Sequence, residues 1–198
     1  MTAASHELAA DWSDASNPNG TWSYRSGSTV LSGVADWTPL TEPTVQPAWA
    51  PGQSIPAWFK SVADNPEGMD FLSGDVVVHS AGVGDLAANV LWTSPVDSFI
   101  VIRGAAWMVR DIGRSNNWLL LRDGVVLTGG SVFSGDAYSR VSPFDFADGS
   151  AGASALQLVP VLVGTNIELR VERTSGNGDF VGLRLEIIDD PLFGDGFE

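Results

Sequence analysis

Apolar and polar residues alternate strictly along two segments in the last third of the chain. Residues 167–172 read Ile-Glu-Leu-Arg-Val-Glu, and residues 181–187 alternate Val, Leu, Leu and Ile with Gly, Arg and Glu. A period of two turns one side of an extended segment toward a core and the other toward water. Both segments are therefore predicted to be half-buried β-strands.

The other apolar runs are short and are separated by turn-forming residues. Between two of them lies Asp123-Gly124, a pair that favours a hairpin because both positions tolerate positive φ. The sequence gives little indication of helices, and only residues 5–12 could form one short turn. The strand candidates are a hairpin at 21–31 and runs at 57–60, 75–80, 89–93, 98–109, 118–121, 125–127, 142–146 and 156–163. With the two alternating segments they make roughly ten strands, which predicts an all-β protein, an antiparallel β-sandwich of the jelly-roll kind.

The chain is predicted to form a single domain with an extended segment at each end. Residues 1–20 are polar and turn-rich and are expected to pack on the domain, residues 21–188 form the sandwich, and residues 189–198 form an acidic tail. Within the sandwich, residues 32–56 contain five prolines, spaced too closely for any helix. Because this proline-rich segment also carries tryptophans, we expect it to lie across the core.

The charge balance excludes several kinds of partner. Twenty-four acidic residues against ten basic ones give a net charge of −14. Nucleic acids and anionic membranes are bound through Lys and Arg, so neither is an expected partner. No apolar run reaches the about 18 residues that a membrane-spanning helix needs. The acidity favours solubility or, alternatively, calcium binding, since Ca²⁺ takes carboxylate oxygens.

Little in the sequence indicates catalysis. The chain has no cysteine and only two histidines, which excludes disulfides, thiol chemistry and zinc sites built from Cys or from His alone. A nucleophile elbow, a phosphate-binding loop and an HExxH motif are all missing. Glycoside hydrolysis requires a pair of carboxylates, and the sequence does not reveal which aspartates come together. An enzyme is therefore the less favoured alternative, with His79 at a strand end as its candidate base.

Eight tryptophans among 198 residues carry the most informative chemistry. Aromatic rings stack on sugars because their electron-rich faces attract the polarised C–H groups of a pyranose. The tryptophans within strong strand patterns are expected in the core: Trp92, Trp107 and Trp118. Those in or beside the proline-rich segment are expected to be more exposed and are predicted to contact a ligand: Trp37, Trp49 and Trp58. Tyr138, in the polar loop 134–138, is predicted to lie at the rim of the same site.

Two polar loops, 111–117 and 176–179, supply groups that bind sugar hydroxyls or calcium. Asn116 and Asn117 are predicted to hydrogen-bond to a ligand. Asp111 and Asp179 are predicted to be ligands of a structural Ca²⁺ ion. The alternative is turn chemistry, because Asn, Asp and Gly are also the residues that tight turns require.

Four segments together resemble a known module: residues 11–24, the Val-Val-Val-His-Ser strand at 76–80, Val-Leu-Trp-Thr-Ser-Pro at 90–95, and the final strand pair. They are similar to the jelly-roll β-sandwich module of secreted bacterial proteins, which is itself similar to carbohydrate-binding, lectin-like modules. The resemblance spans about residues 11–188 and implies the sandwich fold and an extracellular location. Residues 1–4 have neither the basic start nor the apolar stretch of a signal peptide, so we expect that a start Met replaces the export signal.

The predicted function is thus a non-catalytic, secreted module that binds polysaccharide through exposed aromatic residues and polar loops. The first alternative is a cell-surface or matrix adhesion domain that binds proteins, which a large exposed apolar patch would favour. The second is a glycan-active hydrolase or lyase, which two carboxylates in one cleft would favour. Burial of the tryptophans would remove the main support for carbohydrate binding.

Overall fold

The strands of the protein were located in a computed structural model that describes residues 4–41 and 45–189. The acidic tail predicted at 190–198 lies outside these residues. In chain order the strands are β1 (Ser5–Glu7), β2 (Trp22–Ser26), β3 (Thr29–Val30), β4 (Ser32–Val34), β5 (Ala48–Ala50), β6 (Ala57–Lys60), β7 (Val76–His79), β8 (Ala88–Thr93), β9 (Ser98–Met108), β10 (Ser115–Arg122), β11 (Val125–Phe133), β12 (Phe144–Asp145), β13 (Val159–Val161), β14 (Asn166–Arg173) and β15 (Phe180–Asp189). Short 3₁₀ helices cover Pro66–Gly68, Gly84–Leu86, Phe146–Asp148 and Ala153–Leu156.

The strands form two antiparallel sheets packed face to face. The larger sheet has nine described strands in the order β12-β9-β15-β7-β6-β5-β4, with β1 beside β15 and β13 beside β9. The smaller sheet has six, in the order β11-β10-β14-β8-β2-β3. This confirms the predicted β-sandwich. The described residues contain more strands than the roughly ten predicted because several are only two or three residues long, too short for a visible pattern.

The main core lies between the sheets and follows the alternation of the sequence. Along β14, Ile167, Leu169 and Val171 are buried in it, while the charged residues between them are half-buried on the outer face. Along β15 the same core takes the alternate residues from Val181 to Ile187. The tight turn Asp123-Gly124 joins β10 to β11 with positive φ at both positions, as the hairpin prediction required.

A second hydrophobic core covers part of the outer face of the larger sheet. On β7, Val76 and Val78 point into the main core, whereas Val77 points into the second one. The cover comes from the proline-rich segment and the 61–75 loop, which contribute buried residues: Trp37, Leu40, Met69 and Phe71. The segment thus lies across a core, as predicted, and strands of the larger sheet are buried on both faces.

The N-terminal segment is part of the sheet structure. Ser5–Glu7 pair antiparallel with residues 186–188 of β15, and a turn at residues 8–11 follows, within the segment 5–12 where the sequence allowed one short turn. Leu8 follows them into the main core. Within the described residues, the structure has no helix of the length and apolar character needed to cross a membrane.

Candidate functional site

The three tryptophans predicted to contact a ligand are buried. Their exposed fractions are 1% for Trp37, 5% for Trp49 and 0% for Trp58. The expectation that these three side chains are exposed is therefore wrong, although Trp49 lines a depression with Gly33 and Pro47. It failed because the proline-rich segment that carries or precedes them covers a core and does not form an open loop.

Trp37 is the anchor of the second core. Its ring centroid lies 5.5 Å from that of Phe59 and 6.1 Å from that of Phe180, on two strands of the larger sheet. Its indole nitrogen donates a hydrogen bond to the carbonyl oxygen of Ser54, 3.1 Å away. Both the ring and its polar atom are thus committed within the fold.

Trp49 and Trp58 lie directly opposite each other on β5 and β6 and point into the main core. The alternation of these strands sends the neighbouring small residues, Ala48, Ala50 and Ala57, to the second core. The indole nitrogen of Trp49 donates to the carbonyl oxygen of Ser13 at 3.0 Å, which ties the N-terminal segment to β5. Their role is therefore structural.

The two predicted asparagines have different surroundings. Asn116 is fully buried and accepts a hydrogen bond from the hydroxyl of Ser80, which joins the two sheets. It cannot reach a ligand from there, so this prediction is wrong. Asn117 is half-buried on the outer face of the smaller sheet, where its amide oxygen accepts a hydrogen bond from Ser131 at 2.6 Å.

The carboxylate of Asp179 is neutralised by an arginine. It is fully buried, and one oxygen accepts hydrogen bonds from Nε of Arg110 at 2.6 Å and from the amide of Phe180 at 2.8 Å. The guanidinium supplies the positive charge that a calcium ion was predicted to supply. Asp111, the other predicted ligand, is exposed. In residues 4–41 and 45–189, no group of three or more His, Cys, Asp or Glu side chains could hold a metal ion.

Tyr138 and Asp111 meet at a depression of about 330 Å³ at one end of the sandwich, which we call the loop-end depression. Three loops form it: 109–114 after β9, 134–143 after β11, and 61–75 before β7. The hydroxyl of Ser134 accepts hydrogen bonds from the amides of Ile112 and Arg114, which joins the first two loops. The side chains that give it chemical character are Asp70, Arg110, Asp111, Phe133, Asp136 and Tyr138.

The ring of Tyr138 is the outer end of an aromatic stack that begins in the core. It lies nearly parallel to Phe144, with centroids 4.6 Å apart, and Phe144 in turn meets the buried Trp118 edge-on at 5.3 Å. Gly130 makes room for this stack, since a Cβ there would lie 2.7 Å from both Phe144 and Trp118. Tyr138 is 37% exposed, so one face is braced and the ring still reaches solvent.

Two of the three carboxylates at the depression hold its loops in shape. Asp136 accepts hydrogen bonds from the amide of Phe133 at 2.7 Å and from that of Tyr138 at 2.9 Å. Asp70 accepts one from the amide of Arg140 at 2.8 Å. Asp111 is the carboxylate left for a ligand. This arrangement suits the binding of a polar molecule more than glycoside hydrolysis, which uses a pair of carboxyl groups as acid and as base or nucleophile.

The sequence did not single out Phe133, Asp136 or Arg110 as site residues, and it indicated Asp70 only as one of several aspartates near strand ends. The only local signal was the Ser-Gly-Asp turn at 134–136, which precedes Tyr138. Phe133 is the last residue of β11, and its apolar side chain would be expected in the core, although it is exposed. Asp70 and Arg110 reach the depression from loops about 40 residues apart, a distance that no short motif spans.

His79 lies at the end of the sandwich that carries the loop-end depression, but its side chain is buried. Its ring meets that of Phe180 edge-on with centroids 4.5 Å apart, and its Nδ1 donates to the carbonyl oxygen of Ser80 at 2.8 Å. Burial lowers the pKa of His79 below its ordinary value of 6.5, while the hydrogen bond to Ser80 and the charge of Asp179 oppose that shift. The imidazole is therefore neutral at neutral pH.

This burial predicts a pH dependence of stability. Because the pKa of His79 is lower in the folded chain, the unfolded chain binds a proton there more readily below about pH 6.5. The contribution of the neutral His79 to the free energy of unfolding is therefore complete above that pH and is lost as the pH falls. Urea denaturation of wild type and His79→Asn between about pH 7.5 and pH 5 should show a smaller decrease for the variant, which keeps an amide donor but does not titrate. Equal decreases for both proteins would contradict the prediction.

Comparison with known proteins did not identify a relative. No protein-family model matches the chain, and no curated protein matches it.

Proposed function

We propose that the protein is a non-catalytic module, acting outside the cell, that binds saccharides in the loop-end depression. The observation that carries the proposal is the braced and exposed ring of Tyr138, which stands beside hydrogen-bonding groups in an open depression. A rigid aromatic ring offers a stacking surface at little entropic cost, because it is already ordered before the ligand arrives. Carboxylate, amide and guanidinium groups nearby suit the hydroxyls of a sugar.

The proposal differs from the sequence-based one in the residues that it uses. Seven of the eight tryptophans are buried, and Trp12 is half-buried. Their number therefore no longer supports carbohydrate binding. The support now comes from Tyr138, the one aromatic residue of the original set that is exposed, together with Phe133 at the same depression.

Replacing Tyr138 with alanine is expected to weaken saccharide binding by about tenfold or more, which is the loss of roughly 1.4 kcal/mol of binding free energy. Because the ring is exposed, the free energy of unfolding should change little. Phe99→Ala is a matched control, because Phe99 is 36% exposed and lies far from the depression. Phe99 is near the start of β9, whereas the depression lies where β9 ends, about 30 Å away at roughly 3.3 Å per residue. Retention on a panel of immobilised polysaccharides, followed by calorimetry, measures both variants.

A second candidate function, protein binding in adhesion, is favoured by the opposite end of the sandwich. Exposed apolar residues gather there, on the connecting loops and on the strand ends beside them: Val96, Phe99, Val125, Val126, Leu158, Leu162 and Val163. Backbone hydrogen bonds join these loops, including Ser94 to Thr165 and Asp123 to Asn166. If neither wild type nor any variant is retained on a polysaccharide, saccharide binding is rejected and this candidate takes its place.

A further inference from the structure

Two of the three arginines around the loop-end depression are paired with aspartates. Arg110 pairs with the buried Asp179, and its guanidinium lies 5.1 Å from the ring centroid of Phe180. Arg140 makes a two-pronged ion pair with Asp75. Arg114 is not among the residues that line the depression, and it donates to the carbonyl oxygen of Gly178 at 2.5 Å. Arg110, the arginine of the lining, therefore has its charge balanced by Asp179.

Among the described residues, the carboxylates that line the depression form no ion pair, and among these carboxylates the charge of Arg140 acts only on Asp70. Asp136 and Asp70 accept hydrogen bonds from backbone amides, which are uncharged. Asp111 is exposed, and no described group donates a hydrogen bond to its side chain. The exposed ring faces of Tyr138 and Phe133 complete the lining. Such ring faces carry partial negative charge, so they attract a cation as the carboxylates do.

We propose that the ligand is an amino sugar oligosaccharide, whose ammonium group lies against Asp111 while a ring of the sugar stacks on Tyr138. The inference rests on the proposed saccharide binding and names the class of saccharide. Carboxylates next to aromatic rings are the combination that recognises ammonium groups, through a charge-assisted hydrogen bond and a cation–π contact. The net charge of −14 adds a long-range attraction for cations.

The same charges disfavour the other classes of saccharide. A uronate or sulfated sugar would bring its negative charge against three aspartates, and the arginine of the lining, Arg110, is already paired with Asp179. A neutral sugar gains hydrogen bonds but leaves the carboxylate of Asp111 without a counter-charge. The amino sugar is therefore the saccharide that the lining fits best.

The test compares short ligands that differ in charge but not in size. Calorimetry at low and at physiological ionic strength would use trimers of β-1,4-linked glucosamine, N-acetylglucosamine, glucose and galacturonate, with trilysine as a charge-matched peptide. The protein variants are Asp111→Asn, Tyr138→Ala and the control Asp36→Asn, which removes an exposed aspartate of the proline-rich segment. We expect the glucosamine trimer to bind tightest, and Asp111→Asn to weaken it about fivefold, the size of a solvent-exposed ion pair. Asp36→Asn should leave the affinity unchanged.

Each other outcome overturns a defined part of the argument. If the neutral and N-acetylated trimers bind as tightly and depend on Tyr138, the ammonium preference is wrong while saccharide binding stands. If Asp111→Asn and Asp36→Asn weaken binding equally, or trilysine binds as tightly as the glucosamine trimer, only diffuse charge attraction is present and the inference fails. If no trimer binds and Tyr138→Ala has no effect, the proposed function fails as well.

Discussion

Replacing Gly182 with alanine is expected to lower the free energy of unfolding by about 3 kcal/mol or more, the upper end of the usual cost of overpacking a core. A Cβ at this position of β15 would lie 2.2 Å from two carbon atoms of the Trp107 ring on β9 and 2.7 Å from its nitrogen. The ring cannot easily move aside. It is fully buried, its nitrogen donates to the carbonyl oxygen of Asp70 at 2.7 Å, and the guanidinium of Arg184 covers it at 5.4 Å.

Urea denaturation of Gly182→Ala and of two further proteins would test the cause. Gly176→Ala is the control, because a Cβ there meets nothing within 4 Å, and its effect should stay within about 0.5 kcal/mol. In a Trp107→Leu background the alanine at 182 should cost much less, since the atoms it collides with are gone. Wild-type stability of Gly182→Ala would show that Trp107 does not lie on this glycine.

The interaction also connects the core with the candidate site. Trp107 holds the carbonyl oxygen of Asp70, and the amide of Asp70 donates to Val109 at 2.7 Å. Asp70 in turn lines the loop-end depression. A glycine in the middle of a strand thereby sets the position of a loop that the ligand is proposed to meet.

The sandwich could be predicted because a strand with one buried and one solvent-facing side alternates apolar and polar residues with a period of two. The alternation at 167–172 and 181–187 and the turn Asp123-Gly124 all correspond to observed elements. The second core could not be predicted in this way. Strands such as β6, whose residues 57–59 are all buried, show no alternation of apolar and polar residues in the sequence. The residues that cover their outer face come from a proline-rich segment whose sequence is typical of an open loop.

The candidate site was only partly visible in the sequence for a related reason. Tyr138 stood out because an aromatic residue in a polar loop is unusual, and it does lie at the depression. Asp179 was assigned to calcium from its local Gly-Asn-Gly-Asp pattern, but its charge is neutralised by Arg110, 69 positions away in the chain. Pairings over such distances depend on how the strands are ordered in the sheets, and no local pattern encodes that order.

Trp37→Ala is expected to destabilise the protein by about 3–5 kcal/mol, because removing a buried indole leaves a cavity that the surrounding core fills only in part. Trp37 is 1% exposed and packs against Phe59 and Phe180. Trp37→Phe, which keeps an aromatic ring but loses the hydrogen bond to Ser54, should cost less. Urea denaturation gives both values.

The same variant separates a structural tryptophan from a ligand-binding one. A ligand contact at Trp37 would leave stability unchanged and abolish binding, whereas a core position lowers stability and spares binding in the molecules that remain folded. Any effect on binding should be indirect, through Phe180, which contacts both Trp37 and the Arg110 guanidinium at the depression. Wild-type stability of Trp37→Ala together with lost saccharide binding would return Trp37 to the ligand and move the proposed site to the proline-rich segment. Lower stability with intact binding would place saccharide recognition away from Trp37, as the position of Tyr138 requires.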